Sequence, residues 1–347
     1  MTFHTAALPA ATLSGQGTRL DVQPDLVAAE GFPEAAASDI GEAEVDMHGV
    51  KTRGEGSEGA STSRGFGDKG GKSNPGALRF RERIMIDRVF EELGLDKLSA
   101  QVGGIGKKVR HHVNPLRAEF QVKTPPPVWA DVFADPSLPL HVDIGCAQGR
   151  FVLTLAKRSE GATNFLGLEI RSQLVERANR WSAGLELRNA HFLVANATIS
   201  LDSILATYPG PLTYVTILCP DPHFKNRVKN RRVVQPSLVE AICQKLVPGG
   251  KVFVQSDVLE VADDMKYQIQ AAGGTWLSLA GEHARTDQCT PQGWLLESPL
   301  GVPTERETFA VANGESIYRA LFVRNEREFR CIGDLEKDAE GQKSQVV

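Results

Sequence analysis

"LPLHVDIGCAQGRF", Leu138–Phe151, decides the fold. A short β-rich run reaches an acid, Asp143, turns through Gly145 and Gly149, and continues into residues of helical spacing. That is the first strand, loop and helix of an open α/β sheet. Gly145 and Gly149 let the backbone approach a ligand there, and a helix N-terminus points at it.

The same grammar repeats downstream. "FLGLEI" is followed by a helix from Ser172, "HFLVAN" by a short helix, and "LTYVTILCP" by the helix "PSLVEAICQKL"; the turn "PGG" then leads into "KVFVQSDV". Strands alternating with helices predict parallel βαβ units. With the late run "IYRALFVR" read as one more strand, the expectation is an α/β, doubly wound, Rossmann-like sheet, mostly parallel with one antiparallel strand near the C-terminus.

Upstream the composition is different. Residues 1–20 lack acids and are rich in Ser, Thr and Ala, as in an organelle transit segment. The acidic stretch and the Gly/Ser-rich "RGEGSEGASTSRGFGDKGGKSNPG" that follow offer few large apolar groups, so residues 1–78 are expected to be disordered. Residues 79–137 begin with "LRFRERIMIDRVFEELGLDKL", apolar at helical spacing, and then mix basic residues, His111, His112 and prolines. This extension is expected to wrap a core rather than form one. Residues 138–330 would be the catalytic domain and 331–347 a flexible tail.

Bulk composition narrows the function. The chain has 347 residues, 41% hydrophobic, with a formal net charge of -4, so a claim on a polyanion must rest on local clustering. Five dispersed cysteines with no CxxC pair support neither a disulfide framework nor a zinc site and suit a reducing compartment. His111 and His112 lack a carboxylate or thiol to complete a metal set, and no metal is expected. Cys146, Cys219, Met265 and Trp294 are read as packing residues. No apolar run approaches a membrane span, so no membrane partner is expected.

Open α/β sheets bind ligands at the carboxyl ends of their strands. After the second strand, Glu169 stands 20 residues beyond Gly149, where such folds place an acid on ribose hydroxyls. After the third, Asn196 can face an adenine edge. These tips together predict a nucleoside-type cofactor. The G-x-x-x-G spacing lacks the pyrophosphate pattern and favours S-adenosylmethionine over NAD.

The fourth strand ends in "ILCPDPHFKNRVKNRR", Ile217–Arg232. Pro220 and Pro222 fix the backbone on both sides of Asp221, which suits a carboxylate that must accept a substrate's N–H groups. Lys225, Arg227, Lys229, Arg231 and Arg232 follow with no acid among them. A charge run is usually a solvated face. Beside a catalytic carboxylate, this one can hold the phosphates of a nucleic acid.

Taken together, "DIGCAQGRF", "GLEIR", "VANAT", "PDPHFKNRVKNRRVVQP", "PGGKVFVQSDV" and "TERE" strongly resemble the tRNA (guanine-N7)-methyltransferases over about Leu138 to Arg324. "VRHHVNPL" and "PTERE" look most like forms from photosynthetic lineages, which with the first 20 residues points to a plastid; the acidic stretch after them points to cytosol or nucleus. The resemblance implies a class I methyltransferase using S-adenosylmethionine on tRNA. Gly145, Glu169, Arg171, Asn196, Ala197 and Leu218 would bind cofactor, with Asp143 and Gly149 shaping the pocket. Asp221 matches the catalytic aspartate, Lys225 and Asp257 match substrate-contacting positions, and Thr304 and Glu307 match a T-x-x-E segment in which Glu305 can share the role. Ala147 departs from the glycine of many members, which puts close backbone approach there in doubt. The competing readings are a methyltransferase on another RNA guanine and an inactive RNA-binding or scaffold relative. An accessory subunit or a homodimer stays open.

Overall fold

The computed structural model describes residues 84–102, 109 and 113–329. The expectations for residues 1–78 and 331–347, and for His111 and His112, lie outside the described residues. Residues 84–89 are helical, a 3-10 turn at Glu91–Leu93 ends at Gly94 in the left-handed region, and Leu95–Val102 forms a second helix.

Among the described residues seven strands form one sheet: β1 Leu140–Ile144, β2 Asn164–Glu169, β3 Ala190–Val194, β4 Leu212–Leu218, β5 Leu246–Ser256, β6 Leu277–Leu279 and β7 Tyr318–Arg324, in the order β3-β2-β1-β4-β5-β7-β6. β1 to β5 pair in parallel, and β7 runs antiparallel to both β5 and β6. The order reverses between β1 and β4, so their carboxyl ends flank the crevice where doubly wound folds take their ligands.

β1 and β2 are buried along their whole length, and in β1 the burial takes in polar His141 and Asp143, which alternate with Leu140, Val142 and Ile144. The helices that follow the strands are α1 Arg150–Arg158, α2 Ser172–Gly184, α3 Ala197–Ile204, α4 Pro236–Lys245, α5 Leu259–Gly273 and α6 Glu305–Ala312. Pro236 opens α4 in its first turn, where a missing N–H costs nothing. One core lies under α3, α4 and α5 and takes in Trp129 and Phe133 from the upstream extension, together with Met265 and Trp294. A second, on α1 and α2, takes in Phe90, Leu93 and Leu95. The extension thus contributes side chains to both.

Two details differ from the sequence reading. β5 starts at Leu246, not after the turn, because Pro248–Gly250 is absorbed into the strand as an irregularity: Leu212 pairs with Leu246, then Tyr214 with Lys251. β6 was not expected, since three residues are too few to show a period.

Candidate active site

A cavity of about 270 Å³ opens at the reversal point between β1 and β4. It gathers Asp143, Gly145, Gly149, Glu169, Arg171, Asn196, Ala197 and Leu218 from the cofactor expectations, and Asp221, Arg231, Thr304 and Glu305 from the substrate ones. Lys225, Arg227, Lys229, Arg232, Asp257 and Glu307 do not line it.

The turn after β1 carries positive φ at Gly145 (81°), Ala147 (48°) and Gly149 (78°). The two glycines do different work. A Cβ on Gly145 would meet no atom within 4 Å, which leaves room for a ligand against the backbone, whereas one on Gly149 would come within 2.6 Å of the Phe192 ring and 2.9 Å of Ala178. Gly149 therefore serves helix–sheet packing. Ala147 tolerates the left-handed region and donates its backbone N–H to Glu169 Oε2 at 3.1 Å.

Glu169 is buried at the tip of β2. Its Oε1 accepts from the backbone N–H and Nε of Arg171, both at 3.0 Å, and its Oε2 also accepts from Arg171 Nη2 at 2.9 Å. Burial opposes the Arg171 charge, but hydrogen bonds to Glu169, the charge of Glu169 and that of Asp221 together hold the guanidinium above its usual range. Asn196 turns its amide onto the backbone carbonyls of Phe120 (3.1 Å) and Pro115 (3.4 Å), so its N–H groups hold the upstream segment that forms one wall of the cavity.

Asp143 is 5% exposed and accepts from the Thr216 hydroxyl at 2.6 Å. Burial pushes its pKa up to about 7, with Thr216 opposing and Glu169 adding. His141 Nε2 stands 3.0 Å from the same hydroxyl, and burial pushes that imidazole down to about 3. The three form a polar chain inside the sheet. Sequence reading named only Asp143; the signal for the rest was two polar residues spaced by two in a buried strand.

Beyond β4, Cys219 (φ 49°), Pro220, Asp221 and His223 (φ 43°) line the cavity. Positive φ at two non-glycine residues beside Asp221 is strain of the kind that concentrates at active sites. Residues Asn226–Arg231 then form a 3-10 turn.

The basic run is not one uniform face. Lys225 and Arg227 are exposed, and Lys229 pairs with Glu260 at 2.9 Å. Arg231 reaches the cavity, with a buried Nε that has no hydrogen-bond partner among the described residues. Arg232 corrects the expectation of a phosphate contact. It is 5% exposed, paired with Glu260 at 2.8 Å and Asp264 at 3.1 Å, and donates from Nε to the Pro222 carbonyl at 2.9 Å. It anchors the loop that carries Asp221.

The T-x-x-E segment is likewise a local structure. Thr304 caps α6 and exchanges hydrogen bonds with Glu307 in a capping box, a pattern that the spacing itself encodes. Glu307 is buried and pairs with Arg319 at 2.6 Å, so it braces α6 on the sheet without facing the cavity. Asp257 is nearly buried and ion-pairs with Arg306, a cavity-lining residue that sequence reading missed. Glu305 does face the cavity. It accepts from Gln148 Nε2 at 3.0 Å and ion-pairs with Arg150 at 3.1 Å; burial raises its pKa against the pull of Arg150 and Arg177. Among the described residues no group of three or more His, Cys, Asp or Glu is placed to hold a metal, and no helix is long and apolar enough to cross a membrane.

A doubly wound sheet that brings a glycine turn, the buried acid Glu169 and an aspartate after its fourth strand around one cavity is the arrangement of a class I methyltransferase. The protein family described as "Putative methyltransferase" matches residues 137–320. Three curated relatives, each named tRNA (guanine-N(7)-)-methyltransferase, are 45% identical over 221 residues (Synechococcus sp., 64% of this chain and 87% of the relative), 47% over 218 (Trichormus variabilis, 62% and 96%) and 42% over 217 (Synechocystis sp., 62% and 97%). This chain belongs to the tRNA (guanine-N(7)-)-methyltransferase family.

Proposed function

We propose that this chain transfers the methyl group of S-adenosylmethionine to N7 of a guanine in the variable loop of tRNA. The observation that carries the reading is one cavity lined by Gly145, Glu169 and Asp221 together. The residues fit the cofactor: Gly145 leaves open space against the backbone, and Glu169 sets a buried carboxylate at the ribose position.

When bound, S-adenosylmethionine supplies an electrophilic methyl carbon on a sulfonium; the N7 lone pair forms the new N–C bond as the C–S pair returns to sulfur and the positive charge passes to the purine. N7 needs no deprotonation, so the chain needs no general base. Its work is alignment, exclusion of water and charge placement, and alignment alone can supply about 7 to 11 kcal/mol. Asp221 is held between two prolines to accept from guanine N1–H and N2–H2, which selects guanine over adenine and places negative charge beside the developing purinium. Lys225 and Arg227, exposed next to it, face the tRNA backbone and help offset the few kcal/mol needed to unstack the base.

Incubating the purified chain, without other proteins, with unmodified tRNA and labelled cofactor tests this reading. Label at N7 of one variable-loop guanine is the expected result and would show that no accessory subunit is required. Label at another guanine of the tRNA, or at an atom other than N7, would overturn it.

A further inference from the structure

Phe224 is 60% exposed, three residues beyond Asp221. A single exposed apolar side chain is ordinary. What sets this one apart is how firmly its backbone is held. On one side, His223 lines the cavity with φ 43°, and the Pro222 carbonyl accepts from Arg232 Nε at 2.9 Å. On the other, the Lys225 carbonyl accepts from the Val228 backbone N–H at 2.8 Å as the 3-10 turn opens. A non-glycine residue in the left-handed region is strained and persists only where its surroundings enforce it. The loop therefore holds a flat apolar ring out in solvent. Among the described residues no other ring and no cation stacks on it. Its chain neighbours Lys225, Asn226 and Arg227 are exposed and polar, so the ring is no part of a continuous apolar stretch of loop such as would take a folded protein. Cations beside a fixed aromatic face suit a nucleotide strand, whose phosphates meet the cations and whose bases meet the ring.

We propose that Phe224 stacks on the base next to the target guanine, taking the face that the guanine leaves when it enters the cavity. A base drawn out of its stack strips its neighbour of one stacking partner, and that loss is part of what unstacking costs. The ring replaces the partner without reaching any reacting atom. Every base has a π-face, so the contact adds affinity for the variable loop without adding a sequence preference. The backbone is braced before tRNA arrives, and a phenyl side chain has few rotamers to lose, so little ordering is left for the moment of binding. This inference rests on the function proposed above and deepens it: Lys225 and Arg227 hold the strand, and Phe224 holds the gap.

The test uses the full chain loaded with S-adenosylhomocysteine, which binds without reacting. Two forms of one unmodified tRNA are titrated: one with guanine at the position the methylation assay identifies, and one abasic there. Phe224→Ala and Phe224→Leu should bind the guanine form about 5-fold or more weakly than wild type, and Phe224→Tyr should match wild type. The loss should persist in full on the abasic form, where the gap is already open. Melting temperature and S-adenosylhomocysteine affinity should be the same in all four chains; if the alanine variant does not fold, leucine and tyrosine carry the comparison. Wild-type affinity in Phe224→Leu would reduce the ring to an apolar contact and overturn the proposal. A loss that vanishes on the abasic form would mean that the ring touches the target guanine itself, and would overturn it too, as would no loss in any variant. A wild-type chain that methylates no tRNA would overturn the function and this inference with it, whereas a chain that methylates tRNA and fails these titrations loses only the stack.

Discussion

Thr216 donates its hydroxyl to Asp143 at 2.6 Å because parallel register sets the two residues side by side on β4 and β1. His141, two residues back on β1, completes the chain, and its titration opposes that of Asp143. Asp143, raised to about 7, stabilises the fold below its unfolded pKa near 3.8, a contribution lost as pH rises through 7. His141, lowered to about 3, does the reverse: the unfolded chain takes up its proton below 6.5, so stability falls as pH drops from 6.5 towards 3. Between about pH 4 and 6.5 the folded and unfolded chains then bind one proton each from this pair, and the two slopes cancel. Asp143→Asn should expose a stability that rises with pH over that window, and His141→Leu one that falls. Chemical denaturation at stepped pH reads both; parallel slopes in the two variants would contradict the assignment.

Asp221→Ala should lower kcat on the order of 100-fold or more while leaving S-adenosylhomocysteine affinity near wild type, since in the proposed function this cavity-lining carboxylate contacts the guanine and not the cofactor. Asn at this position can accept from only one guanine N–H and turns a donor towards the other, so it should recover little. Calorimetry and single-turnover methylation measure the two quantities separately.

The basic run should split by burial. Lys225→Ala and Arg227→Ala should leave the melting temperature unchanged, weaken tRNA binding, and each flatten the log–log salt slope by about 0.9. Arg232→Ala should instead destabilise the fold by roughly 1.5 to 3 kcal/mol, because it removes a buried charged donor from Glu260, Asp264 and the Pro222 carbonyl. Thermal melts beside salt-dependent binding distinguish them.

Around α6, Thr304→Ala should cost about 1 kcal/mol as a lost cap. Glu307→Leu should cost roughly 3 to 5 kcal/mol, because it leaves Arg319 buried without its carboxylate. Urea denaturation of the two variants gives the comparison, and equal losses would contradict the buried pairing.

Much of this was legible beforehand. The alternation of strands and helices, the turn at Gly145 and the acid at Glu169 are local patterns, and local patterns survive in a one-dimensional string. The role of Gly149 was not, since the Phe192 ring that excludes a Cβ there comes from a strand 43 residues later. Thr304 and Glu307 stand at a motif spacing that also closes a capping box, and only the structure shows that Thr304 lines the cavity while Glu307 does not.

By itself, then, the sequence determined the sheet, the order of its tips and the place of Asp221, because backbone periodicity, glycine and proline act within a few residues. Only the tertiary structure decided which charges stay exposed. Lys225, Arg227, Arg231 and Arg232 are chemically alike along the chain. Burial against Glu260 and Asp264 turns Arg232 into an anchor, while Lys225 and Arg227 stay exposed and Arg231 reaches the cavity. The partners that set this difference lie on α5, distant in sequence, and no spacing rule encodes them.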